Sequence, residues 1–271
     1  AARHELLGSL KSWGYQLQNV NVSAAVRSPH DLLVIDENFV GTDSPARRNE
    51  ALRQLKHKSD GRRRLVLAYL SIGEAENCRG YWNKAWVIPA PMSPVETAAS
   101  PPGSAADTAK LKTSAPPQAI SRPAPPRPLR VPTAAAPAWL GDENPEWRGN
   151  YNVRYWDAAW QRLMLGSETS ALERIVAAGF DGVYLDRADA YQFWRKERPG
   201  AKGEMTALIE QISEHARSIS PGFIIVMQNA EELLGQSRVR SAIDAIAKED
   251  LLHGIDGSET ANSERDVSAS I

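Results

Sequence analysis

Short apolar runs alternate with amphipathic stretches along most of this chain. The apolar runs are rich in β-branched and aromatic residues and are bounded by Gly, Pro, Asn or Asp, which is typical of strands. Six strands are predicted in this way, at Gly14–Gln18, Asp31–Asp36, Arg64–Ile72, Gly182–Asp186, Phe223–Gln228 and Ile243–Glu249. Helices are predicted between them at Ser44–Lys58, Ser167–Ala178 and Met205–Ile219. This order indicates an α/β fold with a parallel sheet and helices outside it.

Two architectures fit this order of elements. A (β/α)8 barrel of the TIM type needs two strands more than the six, and only 22 residues follow Glu249. An open parallel sheet needs no further strands. We favour the barrel, truncated after its sixth strand, because polar residues follow every predicted strand at the end where barrel active sites are built.

One stretch of the chain differs in composition from the rest. Residues 89–137 hold 13 of the 18 prolines and no aromatic residue. Such a segment buries too little apolar surface to offset its ordering entropy, so we predict a flexible Pro/Ala-rich insert. Both flanks are rich in aromatic residues, which indicates that the insert interrupts one barrel. Residues 1–88 then carry strands one to three, and residues 138–271 carry strands four to six and the start of the next helix.

Composition and charge exclude several classes of function. The 271 residues have a formal net charge of -1, so no overall cationic field would attract nucleic acid. No apolar run approaches the roughly 20 residues of a membrane span. The histidines lack metal-ligand spacing, and no phosphate-binding glycine loop occurs, so we expect neither a metal nor a cofactor. The single Cys78 cannot form an internal disulfide. We also expect the protein to be a monomer.

Polar side chains close every predicted strand. The candidates for a cleft at these ends are Gln16, Asp36, Glu74, Asp186, Asp189, Gln228, Asn229, Glu249 and Asp250. Asp189 and Asn229 could equally cap the helices that follow them. Tyr151 and Tyr191 lie beside polar loop residues and are candidates for stacking on a sugar ring.

Asp186 and Glu249 are the strongest of these candidates. Both continue the alternation of their strands, so each is expected to point to the face where strand ends converge. Two carboxylates across a polar cleft can split a glycosidic bond, since one attacks or stabilises the anomeric carbon while the other protonates the leaving oxygen.

Several ordered blocks of the chain resemble glycoside hydrolase family 114. The blocks are Trp13–Gln18, Asp31–Asp36, Tyr69–Glu76 with Tyr81-Trp82, Gly149–Tyr151 with Tyr155–Asp157, Gly179–Arg187, Gln228-Asn229 and Glu249–Leu251. Together they span nearly everything except the insert.

This resemblance implies a (β/α)8 barrel that acts as an endo-α-1,4-polygalactosaminidase on galactosamine-rich exopolysaccharide, such as biofilm matrix. It implies that Asp186 and Glu249 are the catalytic carboxylates, and we assign Asp186 as nucleophile and Glu249 as acid/base. A cleft lined by Asp36, Glu74, Asp189 and Asp250 would attract a cationic polymer. The chain opens without Met, so we expect that an upstream segment was removed and that the protein is secreted or periplasmic.

Two other functions fit the same residues. One is a carbohydrate-binding barrel without catalytic activity. The other is a hydrolase of a different amino-sugar glycan, because fold and acid pair do not determine the substrate.

Overall fold

The computed structural model describes residues 2–39, 44–90, 127–249, 251–252 and 260–270. Its helices are α1 Ala2–Gly8, α2 Val22–Arg27, α3 Pro45–Leu55, α4 Ala158–Met164, α5 Ala171–Ala178, α6 Tyr191–Trp194, α7 Ala201–Ile219, α8 Ser237–Ala242 and α9 Glu264–Ser270. Its strands are β1 Trp13–Gln16, β2 Leu32–Asp36, β3 Leu65–Ser71, β4 Glu74–Glu76, β5 Val87–Pro89, β6 Arg130–Pro132, β7 Leu140–Glu143, β8 Asn150–Val153, β9 Gly182–Asp186, β10 Ile224–Gln228 and β11 Ala245–Ala247. Within these ranges, no helix has both the length and the apolar character needed to cross a membrane.

The main sheet contains the six predicted strands, in the predicted direction. Its order is β1-β2-β3-β9-β10-β11, and every neighbouring pair is parallel. The three predicted helices correspond to α3, α5 and α7. Strand β3 pairs directly with β9, from Leu67 opposite Gly182 to Ser71 opposite Asp186. The two flanks of the predicted insert therefore contribute to one sheet.

The main sheet is curled like half of a barrel. Ring centroids of Trp13 and Tyr184 lie 6.2 Å apart, and those of Tyr15 and Tyr184 lie 5.5 Å apart. Strands β1 and β9 are three positions apart, which would separate them by about 14 Å in a flat sheet. The concave face therefore brings the side chains of distant strands together, while the helices pack on the convex face.

The two faces of the sheet have separate apolar cores, as the alternation along each strand requires. On β2 and β3, Leu32, Val34, Leu65 and Leu67 belong to the concave core with Tyr69. The intervening residues belong to the larger core beneath the helices, which includes Leu33, Ile35, Val66 and Ala68. Tyr69 thus lies on the concave side of β3, two residues before the strand ends at Ser71.

Five short strands form two smaller sheets that the sequence pattern does not predict. Strands β4, β8 and β7 form one antiparallel sheet, and β5 pairs with β6. Each has only three or four residues, too few to show a period. Most of the predicted insert, residues 91–126, lies outside the described residues. Residues 130–132 of the predicted insert form strand β6, in which Val131 pairs with Ile88 and the Arg130 N–H donates to the Glu143 carboxylate at 2.8 Å.

A glycine allows close packing at the carboxyl end of β3. A Cβ atom on Gly73 would lie 2.3 Å from the carbonyl oxygen of Arg187 and 2.4 Å from Cβ of Ala190. Only glycine therefore permits the turn between β3 and β4 to touch the chain that leaves β9. This contact places the acidic residues of β4 next to those that follow β9.

Candidate active site

A cleft of about 350 Å³ opens at the carboxyl ends of the main strands. Its walls come from the ends of β1, β3, β9 and β10, from β4, and from the loop between β7 and β8. The lining residues are Tyr15, Leu17, Gln18, Tyr69, Glu74, Glu76, Trp147, Arg148, Asn150, Asp186, Arg187, Asp189, Gln228, Asn229 and Glu249. Five of these residues are acidic and two are arginines, so the cleft favours a cationic or hydroxyl-rich ligand.

Asp186 ends β9, is partly buried, and lines this cleft. Its Oδ2 accepts a hydrogen bond from the Tyr69 hydroxyl at 2.5 Å, and its Oδ1 accepts one from the Arg187 N–H at 2.8 Å. Burial raises the pKa of Asp186, and these two hydrogen bonds offset only part of that rise. Both oxygens are thus oriented by donors, as an ionised carboxylate requires.

Glu249 lies two residues beyond the end of β11, exposed to solvent in the same cleft. Its Oε2 accepts a hydrogen bond from Nδ2 of Asn229 at 3.1 Å, while its own N–H donates to Oδ1 of Asn229 at 3.0 Å. Strand β10 lies between β9 and β11, so the backbones that carry Asp186 and Glu249 are about 10 Å apart. The two carboxylates therefore approach the cleft from strands on either side of Gln228.

The backbone takes the left-handed conformation directly after β9 and directly after β10, two of the strands that border the cleft. Arg187 has a φ of 60°, and Asn229 and Ala230 have φ values of 53° and 58°. Residues other than glycine adopt this conformation at a cost, and such strain is concentrated at functional sites. Here it turns the chain sharply, so that the residues after each strand line the cleft.

Glu74 and Asp189 both form ion pairs with the guanidinium of Arg187. Nε of Arg187 is 3.1 Å from the Glu74 carboxylate, and its Nη1 is 3.7 Å from the Asp189 carboxylate. Glu74 is 1% exposed and also accepts a hydrogen bond from Nδ2 of Asn144 at 2.7 Å. Burial raises the pKa of Glu74, and Arg187 opposes that rise. These acids therefore fix the position of Arg187 in the cleft.

The structure brings six of the predicted residues together in the cleft. They are Glu74, Asp186, Asp189, Gln228, Asn229 and Glu249. Asp250 lies outside the described residues. The other four predicted residues are found elsewhere.

Gln16 and Asp36 are not among the residues that line the cleft, and their polar groups make contacts nearby. The Gln16 amide donates to the carbonyls of Gln18 and Asn19, each at 3.2 Å. The Asp36 carboxylate pairs with Arg79 at 2.7 Å, and the same guanidinium pairs with Glu76 at 2.7 Å. These contacts give both residues a local structural role at the ends of β1 and β2, and their binding of substrate stays a prediction.

The two tyrosines proposed for sugar stacking are buried away from the cleft. Tyr151 is fully buried against Trp82, with ring centroids 4.6 Å apart, because β8 turns it toward the aromatic core. Tyr191 is 3% exposed and its hydroxyl donates to Glu232 at 3.4 Å. Proximity to polar residues in the sequence was therefore a poor guide to the orientation of both rings.

Several cleft residues were missed by sequence reasoning. They are Tyr15, Leu17, Gln18, Tyr69, Glu76, Trp147, Arg148, Asn150 and Arg187. The alternation of β3 could have revealed Tyr69, since it shares a face with Leu65, Leu67 and Ser71. Trp147 and Arg148 follow no strand of the main sheet, and no periodic signal marks them.

These features define a class of protein. A curled parallel α/β sheet with a cleft at the carboxyl ends of its strands has the architecture of TIM-type barrels. Two carboxylates on alternate strands of such a cleft are the chemical groups used in glycoside hydrolysis.

Comparisons with known proteins place the chain in a family of that class. Residues 129–269, just over half of the chain, match glycoside-hydrolase family GH114. The chain belongs to this family, as the ordered sequence blocks predict.

Three relatives extend over most of the chain. An uncharacterized protein of Deinococcus radiodurans is 34% identical over 248 residues, covering 90% of this chain and 61% of that protein. Uncharacterized proteins of Methanocaldococcus jannaschii and Thermotoga maritima are 31% and 27% identical, covering 93% and 89% of this chain and 59% and 60% of theirs. The chain therefore spans about three fifths of the length of these relatives.

A solved structure has a similar fold. The glycoside hydrolase domain of PelA from Pseudomonas aeruginosa superimposes with a TM-score of 0.53 at 14% sequence identity. The match covers 96% of this chain and 77% of that domain. This likeness supports the barrel-type architecture of the described sheet.

Proposed function

We propose that this protein is a glycoside hydrolase that cleaves within α-1,4-linked, galactosamine-containing polysaccharide. The observation that carries the proposal is the position of Asp186 and Glu249, which line one cleft from strands on either side of β10. Membership of family GH114 supports the reaction class. The acidic cleft supports the substrate class, because a polymer of deacetylated galactosamine is cationic.

The surroundings of the two acids support different roles for them. Asp186 is surrounded by donors, which favours an ionised carboxylate that attacks the anomeric carbon. Glu249 is exposed and can exchange a proton with water, as an acid/base must do in each catalytic cycle. We therefore assign Asp186 as the nucleophile and Glu249 as the acid/base.

The curled sheet supports the finer architecture of a (β/α)8 barrel in which residues 1–88 and 138–271 act as one catalytic unit. Polysaccharide of this kind lies outside the cell, so the proposal includes a secreted or periplasmic location. A monomer suffices, since both acids come from one chain.

Conservative amide variants test the proposed reaction. In the full-length protein, Asp186→Asn and Glu249→Gln should each lower the release of reducing ends from galactosamine polymer by about 100- to 10,000-fold. The matched controls Asp142→Asn and Glu168→Gln replace exposed carboxylates outside the cleft and should retain wild-type rates. Full activity in both cleft variants would contradict the proposal. Binding of intact polymer without cleavage by the wild type would favour a carbohydrate-binding role instead.

A second measurement assigns the roles of the two acids. An Asp186→Ala variant supplied with azide should form a glycosyl azide of inverted anomeric configuration, because the small anion replaces the missing nucleophile in a single displacement. A Glu249→Ala variant supplied with azide should form a glycosyl azide of retained configuration, because azide then displaces Asp186 from the covalent glycosyl-enzyme intermediate. The opposite pattern of configurations would reverse the assignment.

A further inference from the structure

One tryptophan at the rim of the cleft differs from the tryptophans of the core. Trp147 lines the cleft and is 66% exposed. Trp139 and Trp160 are almost completely buried and pack against each other, with ring centroids 4.9 Å apart. Single exposed apolar residues are common on protein surfaces, but an exposed indole in the wall of a polar cleft offers a flat apolar face to whatever binds there.

The backbone around Trp147 is held in place by hydrogen bonds. The side-chain oxygen of Asn144 accepts the N–H groups of Glu146 at 2.9 Å and Trp147 at 3.3 Å. The Trp147 carbonyl accepts the N–H of Asn150 at 3.0 Å. Asn144 is itself buried and donates to Glu74, an acid of the cleft. The loop that carries the indole is thus organised before a ligand arrives, which reduces the entropy lost on binding.

A second residue of the cleft also points to a polar ligand. Oε1 of Gln228 is buried and has no hydrogen-bond partner in the part of the chain that is described. The residue is 5% exposed, lines the cleft, and ends the strand that lies between the strands of Asp186 and Glu249. A buried acceptor without a partner is costly, and a hydroxyl or ammonium group of a bound ligand would satisfy it.

The geometry points to a sugar subsite in which one pyranose ring of the substrate stacks on the face of Trp147. The neighbouring sugar ring lies between the two acids, where one of its polar groups donates a hydrogen bond to Gln228. This inference rests on the proposed function and names the substrate geometry of the same cleft. In a galacto-configured ring the axial O4 lies on one side, so the C3, C4 and C5 hydrogens form an apolar patch on the other. That patch matches the flat face of an indole. The Trp147 subsite and the position at Gln228 together bind at least two consecutive sugar units.

Substitution of Trp147 separates binding from chemistry. Trp147→Ala should raise KM for partially deacetylated α-1,4-galactosamine oligosaccharides by about 10- to 30-fold, because the apolar contact is lost, with kcat changed less than threefold. Trp147→Phe keeps an aromatic face and should recover most of the affinity. Phe193→Ala removes an aromatic ring that is 53% exposed and lies outside the cleft, and KM should not change.

Fluorescence provides a readout that does not need turnover. In a Glu249→Gln background, the same oligosaccharides should change the tryptophan emission, and the change should be largely lost when Trp147→Phe is added. Unchanged KM in Trp147→Ala, an equal rise in Phe193→Ala, or an emission change that survives Trp147→Phe would overturn the subsite. If the wild type binds these oligosaccharides through Trp147 but never cleaves them, the hydrolase proposal fails and the subsite stands.

Discussion

A buried carboxylate, Glu143, and a partly buried one, Asp186, show how differently the fold can treat the same chemical group. Glu143 is sealed beneath the loop between β7 and β8, where it pairs with Arg127 and accepts the N–H of Gly149 at 2.8 Å. Burial alone would raise the pKa of Glu143, but these partners hold it below the usual value. Burial raises the pKa of Asp186, which has fewer compensating partners. The fold thus stabilises the ionised form of Glu143, which holds the loop in place. Asp186 instead lines the cleft, where its carboxylate can contact a bound ligand.

The largest effect in this comparison is expected on stability at the sealed site. Glu143→Gln should lower the free energy of unfolding by about 2–4 kcal/mol at neutral pH, because it removes a buried charge partner and places amide donors against N–H donors. Glu146→Gln, an exposed substitution in the same loop, should change it by less than about 0.5 kcal/mol. Chemical denaturation measures both variants, and equal stability would show that Glu143 is not required by the fold.

The pH dependence of this loss has a definite sign. Because the pKa of Glu143 is lower in the folded state, its contribution to stability is present above the unfolded pKa and is lost as pH falls through the folded pKa. The difference between wild type and Glu143→Gln should therefore shrink in acid.

An intermediate effect is expected from the hydroxyl that holds Asp186. Tyr69→Phe removes the hydrogen bond to Oδ2, which favours the ionised carboxylate, so the pKa of Asp186 should rise further. The acid limb of the kcat/KM profile should move to higher pH, with kcat lowered about tenfold at its optimum.

Tyr184→Phe is the matched control for this substitution. Tyr184 lies opposite Tyr69 on the neighbouring strand, and among the described residues the side-chain hydroxyl that donates to Asp186 is that of Tyr69 and not that of Tyr184. The acid limb of the kcat/KM profile of Tyr184→Phe should therefore stay at the wild-type pH. If Tyr69→Phe leaves the limb unmoved as well, the hydroxyl does not control Asp186.

The smallest effect is expected on stability at the open site, with the opposite sign to Glu143. Asp186→Asn removes a charge that burial disfavours, so the free energy of unfolding should rise by about 1 kcal/mol at neutral pH. A carboxyl whose pKa is higher in the folded state destabilises the wild type as pH rises through that value. The advantage of the variant should therefore disappear at acidic pH, where both forms are neutral. Thermal unfolding from pH 4 to 8 tests this, and a less stable variant at neutral pH would contradict it.

Much of the fold could be predicted from the sequence, because burial leaves a local pattern. The continuous apolar run of β3 and the GVYLD segment of β9 show their strands directly, since both faces of the sheet are covered. The strands β4 to β8 could not be predicted, because they are short and are stabilised by antiparallel pairing with one another. Asp186 could be selected because it ends β9, and Glu249 because it follows β11 by two residues.

The sequence by itself determined the six-stranded parallel order, the family and the choice of candidate acids, because strand periodicity and strand ends are local properties of the chain. Only the tertiary structure decided which polar groups share the cleft. Tyr69 and Asp186 meet because β3 pairs with β9 across the insert. Asp36 pairs with Arg79 and is not among the residues that line the cleft. Trp147 enters the cleft on a hairpin of the small sheet, while Tyr151 of the same sheet turns into the core. Such contacts depend on pairing between distant segments, and no local pattern encodes that pairing.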